Sequence, residues 1–518
     1  MMSASNASED PAPASGAAAS DANASPLLPP RDGIEYLRHQ VEGIRWMLAR
    51  EAVDAEVCRG GILGDDMGLG KTFQTIGLLR NSPFRDFRTL LVCPPALVAG
   101  WVAELTACGY EVAQIAAGSP VWTAVSDEAR DEGRVVWLTT YPKMCLYARF
   151  LAEAEPSWGR VVLDEGHAIR NGKGTTRWLR AMAVAKRAAC RWILSATPVQ
   201  NGYADWRNLC WWLRVRAGAS RIPDLGPVLM LRRTMAELRA DIETLPPAPR
   251  YVFHDLSIPE GSKEGELFRV LCNNLQNAMD DRAVGALMVL ELYMRIQQFL
   301  VHPQIYVEGM RAKFRGAYPR PDWTGGATKW EAVMAELEEA VEERVPTIVF
   351  CQFAAEMDRV CAEAAGMGAR VFCVRGGMGV EKVGEAVEEA RAAALAGGEG
   401  VVVVVQIVAG GAGLNLQFCR RVLFMSQHWN PAVVHQAVGR AVRIGQRSVV
   451  DIHFFRVVDD VMMNLDRRVV AVHLRKISGA KEICASLYEG YAPVKGPSEG
   501  GDFVWSSGAA EAAAGDPV

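Results

Sequence analysis

Two series of short, dominantly apolar runs constrain this chain more than any other feature. The first comprises residues 61–63, 89–92, 135–138, 161–163 and 192–194; the second begins after Thr328-Lys329-Trp330 and comprises 347–350, 371–374, 401–405, 422–424 and 452–455. Runs that are apolar at consecutive positions suit strands buried on both faces, as in a parallel sheet covered by helices. Helical stretches separate the runs in both halves, so the expected fold class is α/β, in two lobes with a cleft between them.

The chain has 518 residues, half of them hydrophobic, which is enough for two or three domains. Residues 1–30 are rich in Ala, Ser, Asn and Pro and are expected to be a disordered tail, because they bury too little to offset the entropy of ordering. Residues 31–245 are expected to form lobe one, opening on an amphipathic helix that includes Gln40. The prolines Pro246, Pro247 and Pro249 end that lobe. Residues 246–326 read as a mostly helical connector, 327–480 as lobe two and 481–518 as a flexible tail.

Composition excludes some classes of function. A net charge of −4 argues against coating nucleic acid by bulk positive charge, and leaves a local basic groove open. The twelve cysteines include no C-x-x-C pair, and no histidine cluster has zinc-site spacing, so free thiols in an intracellular chain are expected. The most apolar run, 401–405, is far too short to span a bilayer, and no membrane partner is expected.

Three short stretches carry chemistry. In Asp65-Asp66-Met67-Gly68-Leu69-Gly70-Lys71-Thr72, between a strand and a helix, Gly68 and Gly70 let backbone amides close around phosphate oxygens. Lys71 adds a point charge there, and Thr72 offers a hydroxyl to Mg²⁺. Asp65 stands where the usual phosphate loop has its first glycine. Asp164 and Glu165 end a strand, where such sheets collect ligands; Asp164 suits Mg²⁺ and Glu165 suits orienting and deprotonating a water. Arg440 and Arg443, from the far half of the chain, are candidates to neutralise charge on a transferring phosphoryl group. The implied substrate is ATP, with Mg²⁺.

With these motifs in order, the chain resembles the Swi/Snf-type branch of the superfamily-two helicase-like ATPases, from about Tyr36 to Arg456. Further matches are Leu91-Val92-Cys93-Pro94-Pro95 with Trp101, then Leu138-Thr139-Thr140-Tyr141, then Leu194-Ser195-Ala196-Thr197. Later come Leu231-Arg232-Arg233-Thr234, Ala409 to Leu416, and Trp429-Asn430-Pro431 through Gln436 to Gln446. The resemblance implies two RecA-like parallel-sheet lobes flanking an ATP cleft. It also implies DNA-dependent hydrolysis, movement along double-stranded DNA, and a DNA-bound protein as the object remodelled.

By the same likeness Gln40 lies near adenine, Asp65 and Gln436 join the nucleotide site, and Arg440 and Arg443 are arginine fingers. Thr139, Tyr141, Ser195, Thr197, Gly411 and Asn415 couple nucleotide state to nucleic acid or touch it. Gly439 followed by Arg440 matches unwinding helicases instead, so a strand-separating DNA or RNA helicase stays open. An ATP-gated scaffold with little turnover is the rival from another class. The expected location is nuclear in a eukaryote, otherwise the cytoplasm or a viral replication compartment.

Several residues carry two readings. Arg232 and Arg233 suit either phosphate or an acidic partner such as Glu237. Trp206, Trp211 and Trp212 read as core at helical spacing, His167 as a link from the Asp164 turn to Ser195, and the acidic stretch 336–343 as a solvated helix face.

Overall fold

The computed structural model describes residues 26–483 apart from 54–58, 85, 117, 216–224, 282, 411–413, 460 and 462–463. Residues 1–25 and 484–518 of the two expected tails, and Gly411, lie outside the described residues. The expected disorder does not hold for the last part of the first tail, where the backbone of Leu28 exchanges hydrogen bonds with the Asn81 side chain. At the other end Ile483 is buried among lobe-one residues.

Lobe one contains β1 (Gly60–Leu63), β2 (Thr89–Cys93), β3 (Glu111–Gln114), β4 (Val135–Thr140), β5 (Arg160–Asp164), β6 (Cys190–Leu194) and β7 (Met230–Leu231). They form one sheet in the order β3-β4-β2-β5-β6-β1-β7, with every pairing parallel. The second sheet contains β8 (Arg250–Leu256), β9 (Thr347–Cys351), β10 (Arg370–Val374), β11 (Val401–Gln406), β12 (Arg421–Phe424) and β13 (Asp451–Val457). Its order is β10-β11-β9-β12-β13-β8, again parallel throughout. All the apolar runs become strands, and all but 371–374, the edge strand β10, are interior to their sheets; β1, β2, β5, β6, β9 and β12 are buried at every position.

The structure corrects the connector. Residues 250–256 are the edge strand of the second sheet, paired with β13 over their whole length, and only then do the helices Lys263–Asp280, Ala286–Val301 and Pro303–Lys313 follow. The lobes are therefore joined at this point by the short proline-rich piece from Leu245 to Pro249 alone.

One face of the second sheet shares its core with lobe one. Leu69, Met235, Ile242 and Leu245 pack in the same cluster as Ile348, Val403, Phe424 and Phe454. The opposite face packs under the helices Thr328–Glu342 and Ala354–Gly366. Trp206 and Trp212 are fully buried core residues and Trp211 packs against them. Among the described residues no helix is long and apolar enough to cross a membrane.

The N-terminal and C-terminal ends of the lobe-one strands serve different ends. At the start of β5 the Arg160 guanidinium meets Glu51 at 2.5 and 2.6 Å in full burial, and the indole of Trp192 donates to the same carboxylate at 2.8 Å. At the end of β5 stand Asp164 and Glu165.

Candidate active site between the lobes

Three neighbouring strands bring the lobe-one groups together. β6 lies between β5 and β1 in register, with Leu194 opposite both Asp164 and Leu63. The segments leaving these strands are the Asp65–Gly70 turn, the Glu165 turn and Ser195, at the strand ends where ligands of such sheets bind.

Gly68 and Gly70 have φ of +83° and +80°, a region open to glycine at little cost. Space also requires them: a Cβ on Gly70 would stand 2.4 Å from Gln40 Nε2, and one on Gly68 would stand 2.9 Å from Arg443 Cβ. Lys71 begins the following helix and its ammonium donates to the Asp65 and Asp66 carbonyls at 2.7 and 3.1 Å. Burial pushes Lys71 below its ordinary pKa, and the negative charges of Glu165, Asp65, Asp164 and Asp66 oppose that fall. Gln40 and His39 reach the same turn, His39 Nε2 lying 2.9 Å and Gln40 Nε2 3.4 Å from the Leu69 carbonyl.

Asp65 departs from the expectation of nucleotide contact. Its fully buried carboxylate takes Arg233 Nη2 at 2.5 Å, Arg233 Nε at 3.1 Å, the Arg233 amide at 3.0 Å and Gln74 Nε2 at 2.9 Å. A carboxylate so occupied shapes the turn rather than touching phosphate. Asp66 pairs likewise with Arg232 at 2.7 Å and accepts from the Met235 amide. Of the two readings of the arginine pair, the acidic one holds with different partners: Glu237 instead caps its own helix through the Thr234 amide.

The second acidic pair is held differently. Asp164 accepts the Trp101 indole at 2.7 Å and the Glu165 amide at 2.9 Å, while its carbonyl accepts the Tyr141 hydroxyl at 2.8 Å. Burial and then the like charge of Glu165 push Asp164 up to about 6. Burial acts on Glu165 in the same direction, but contact with His167 and the charges of Lys71 and Arg440 carry it below its ordinary value. Glu165 has φ of +50°, an uncommon backbone for a non-glycine residue, and it lies 3.2 Å from His167 Nδ1.

From His167 a polar chain runs to the other lobe. His167 Nδ1 is 3.0 Å from Ser195 Oγ, which accepts the Thr197 amide at 3.2 Å. Gln200 reaches Thr197 Oγ1 at 3.4 Å, and Asn430 donates to Gln200 Oε1 at 2.7 Å. His167 thus stands where a link from the Asp164 turn to Ser195 was expected.

Lobe two meets this site with Arg440 and Arg443. Arg440 is 5% exposed and burial pulls it down to about 10, opposed by the nearby charge of Glu165. Arg443 presses on Gly68, and Gly439 lies so close to Met67 that an added Cβ would stand 3.0 Å from Met67 Cβ. Gln436 is buried in the helix Pro431–Val438.

Thr139 and Tyr141 are not where contact with nucleic acid would need them. Both are 3% exposed, Thr139 in β4 and Tyr141 beneath Asp164, because the strand turns directly into a helix capped by Thr140. Asn415 is exposed.

Comparison with known proteins agrees with this architecture. The SNF2-related domain family matches residues 39–222, and the helicase conserved C-terminal domain family matches residues 328–445. The two fall on the two sheets in family order. The chain belongs to the SNF2-related helicase-like ATPases. This SNF2-related chain is 26% identical over 497 residues to a probable global transactivator of Orgyia pseudotsugata multicapsid polyhedrosis virus, covering 90% of the chain and 94% of that protein. It is 23% identical over 454 residues to the mouse SWI/SNF-related matrix-associated actin-dependent regulator of chromatin subfamily A member 1, covering 82% of the chain but only 41% of the mouse protein. Its similarity to the Sulfolobus solfataricus SWI2/SNF2 ATPase core solved with dsDNA has a TM-score of 0.38 at 22% identity, covering 84% of this chain and 90% of that one. Membership makes the chain an ATP-hydrolysing enzyme.

Proposed function

We propose that the chain is a DNA-dependent ATPase that moves along double-stranded DNA and remodels protein bound to it. The observation that carries the reading is the close packing of the Arg443 Cα and Cβ on Gly68 across the lobe interface, with Arg440 near enough to Glu165 for their charges to act on each other. Guanidinium groups delivered from one lobe to the phosphate turn of the other make hydrolysis depend on how the lobes sit, which is the coupling a motor needs.

Each residue takes a role that its surroundings suit. The Gly68 and Gly70 amides and Lys71 hold the triphosphate, with Gln40 and Gln436 on the nucleotide side. Glu165, kept ionised by His167 first and then by Lys71 and Arg440, orients and deprotonates the attacking water. Thr72 and Asp164 would hold Mg²⁺: the Asp164 carboxyl, pushed up to about 6 by burial and then by the like charge of Glu165, is a group that a divalent cation relieves. When bound there, Mg²⁺ neutralises charge on the terminal phosphates. Ser195, Thr197 and Asn430 pass the state of the Glu165 turn to lobe two. Asn415, which is exposed, is the residue assigned to DNA contact, and Gly411 is assigned the same task by family likeness alone.

Gly439 is accounted for by its packing on Met67 and so adds no weight to strand separation. The location follows the partner: the nucleus, or the compartment where viral DNA is copied. Measuring ATP turnover with duplex DNA, single-stranded DNA and RNA tests the proposal. Duplex DNA is expected to stimulate most, and equal turnover with and without DNA would overturn it.

A further inference from the structure

The helix Thr328–Glu342 shows its acidic residues unequally. Glu339 and Glu343 are about half exposed, as a solvated face requires, but the Glu336 side chain is only 12% exposed and turns in against the second sheet. It meets His254 of β8 and His453 of β13, on the sheet face opposite the one that shares its core with Leu69 and Met235. His254 Nε2 and His453 Nδ1 are 3.0 Å apart, His453 Nδ1 is 3.3 Å from Glu336 Oε1, and His254 Nε2 is 3.9 Å from Glu336 Oε2.

Those spacings match a metal's needs. An ion that holds nitrogen and oxygen tetrahedrally at about 2.0–2.1 Å sets its neighbouring ligands roughly 3.3–3.4 Å apart, within the range seen here. We propose that His254, His453 and Glu336 bind one divalent transition-metal ion of the zinc class, tying the edge strand β8 to β13 and to the helix above them. The fourth position belongs to water, reached past His254, whose side chain is 27% exposed.

The chemistry of the donors supports this ion class. Two imidazoles and one carboxylate favour zinc-like metals over Mg²⁺ or Ca²⁺, which prefer all-oxygen sets. The ring-to-ring hydrogen bond needs a proton on one of the two facing nitrogens; binding gives up that bond as the donor ring takes its other neutral tautomer, which moves the proton to its far nitrogen and leaves both facing lone pairs for the metal with no net proton release. Arg421 Nη1 lies 3.1 Å from Glu336 Oε1 but is shared with Glu339 and Glu343. It serves as an outer partner that orients the carboxylate. Stacking of His254 on Phe455, at 4.4 Å between ring centres, fixes the first ring.

The test uses the full chain stripped with chelator and titrated with Zn²⁺ by calorimetry and with Co²⁺ by visible absorption. Saturation at one ion per chain, a rise in Tm on adding Zn²⁺, and a tetrahedral Co²⁺ band without sulfur-to-cobalt charge transfer are expected. His254→Ala and Glu336→Gln should each weaken binding at least about tenfold. An absence of saturable binding, a thiolate signature, or affinity unchanged in both variants would overturn the proposal. The wild-type Co²⁺ spectrum decides the matter even if a variant fails to fold.

Discussion

Two adjacent acidic pairs end neighbouring parts of one sheet, and they are treated in opposite ways. Asp65 and Asp66 are saturated by Arg233 and Arg232, so their charge is spent on holding the phosphate turn in shape. Asp164 and Glu165 receive an indole, an amide and a histidine, and their nearest cations are Lys71 and Arg440, which are themselves buried and driven down in pKa. The same residue types thus sit against committed arginines at the end of β1 and without one at the end of β5, two strands away. What separates them is whether a permanent cation is already committed to the carboxylate.

The sharpest way to break the contrast is Arg440→Ala. DNA-stimulated turnover should fall by roughly 10³–10⁵ while nucleotide binding persists, measured by phosphate release and nucleotide titration. Glu165→Gln should lower turnover by roughly 10²–10⁴ with Tm little changed, since it removes a base and keeps the shape. On the scaffold side Arg233→Ala should act on stability, costing about 3–5 kcal/mol in urea unfolding, because it strands the buried Asp65 charge.

A third buried acid sharpens the comparison. Glu356 accepts only the Gln352 and Phe353 amides, at 2.7 and 2.9 Å, and burial pushes it up to about 7. The folded chain therefore keeps a proton that the unfolded chain releases near the ordinary value. The resulting stability is full below that ordinary value and is lost as pH rises through about 7, a loss of about 3 kcal/mol. Glu356→Gln should flatten this dependence when unfolding is followed from pH 4.5 to 8. The smallest effect is expected for Asn430→Ala, which breaks the bond to Gln200 across the lobes: about 0.5–1.5 kcal/mol, read as a severalfold drop in DNA-stimulated turnover.

The central strands and the turn that leads through Gly68 and Gly70 into the Lys71 helix were legible because they are local: consecutive apolar residues, or glycines beside a lysine. The edges were not. β3 is short and mixed, β7 has two residues, and β8 follows prolines and is polar at Arg250, His254 and Asp255, so none carries the signature of burial on both faces. The partners of Asp65 and Asp66 lie far along the chain, and no spacing rule reaches them. Thr139 and Tyr141 show the converse limit, since a hydroxyl in a motif reads alike whether it faces solvent or, as here, the core.

The proline-rich piece from Leu245 to Pro249 spans five residues, at most about 17 Å fully stretched. Even with the interface loosened, the guanidinium-bearing half would remain leashed beside its target, at the millimolar effective concentrations that short linkers impose. Re-engagement is then a swivel on a stiff hinge instead of a search through solution, and a ligand seated in the gap has only to bias an angle.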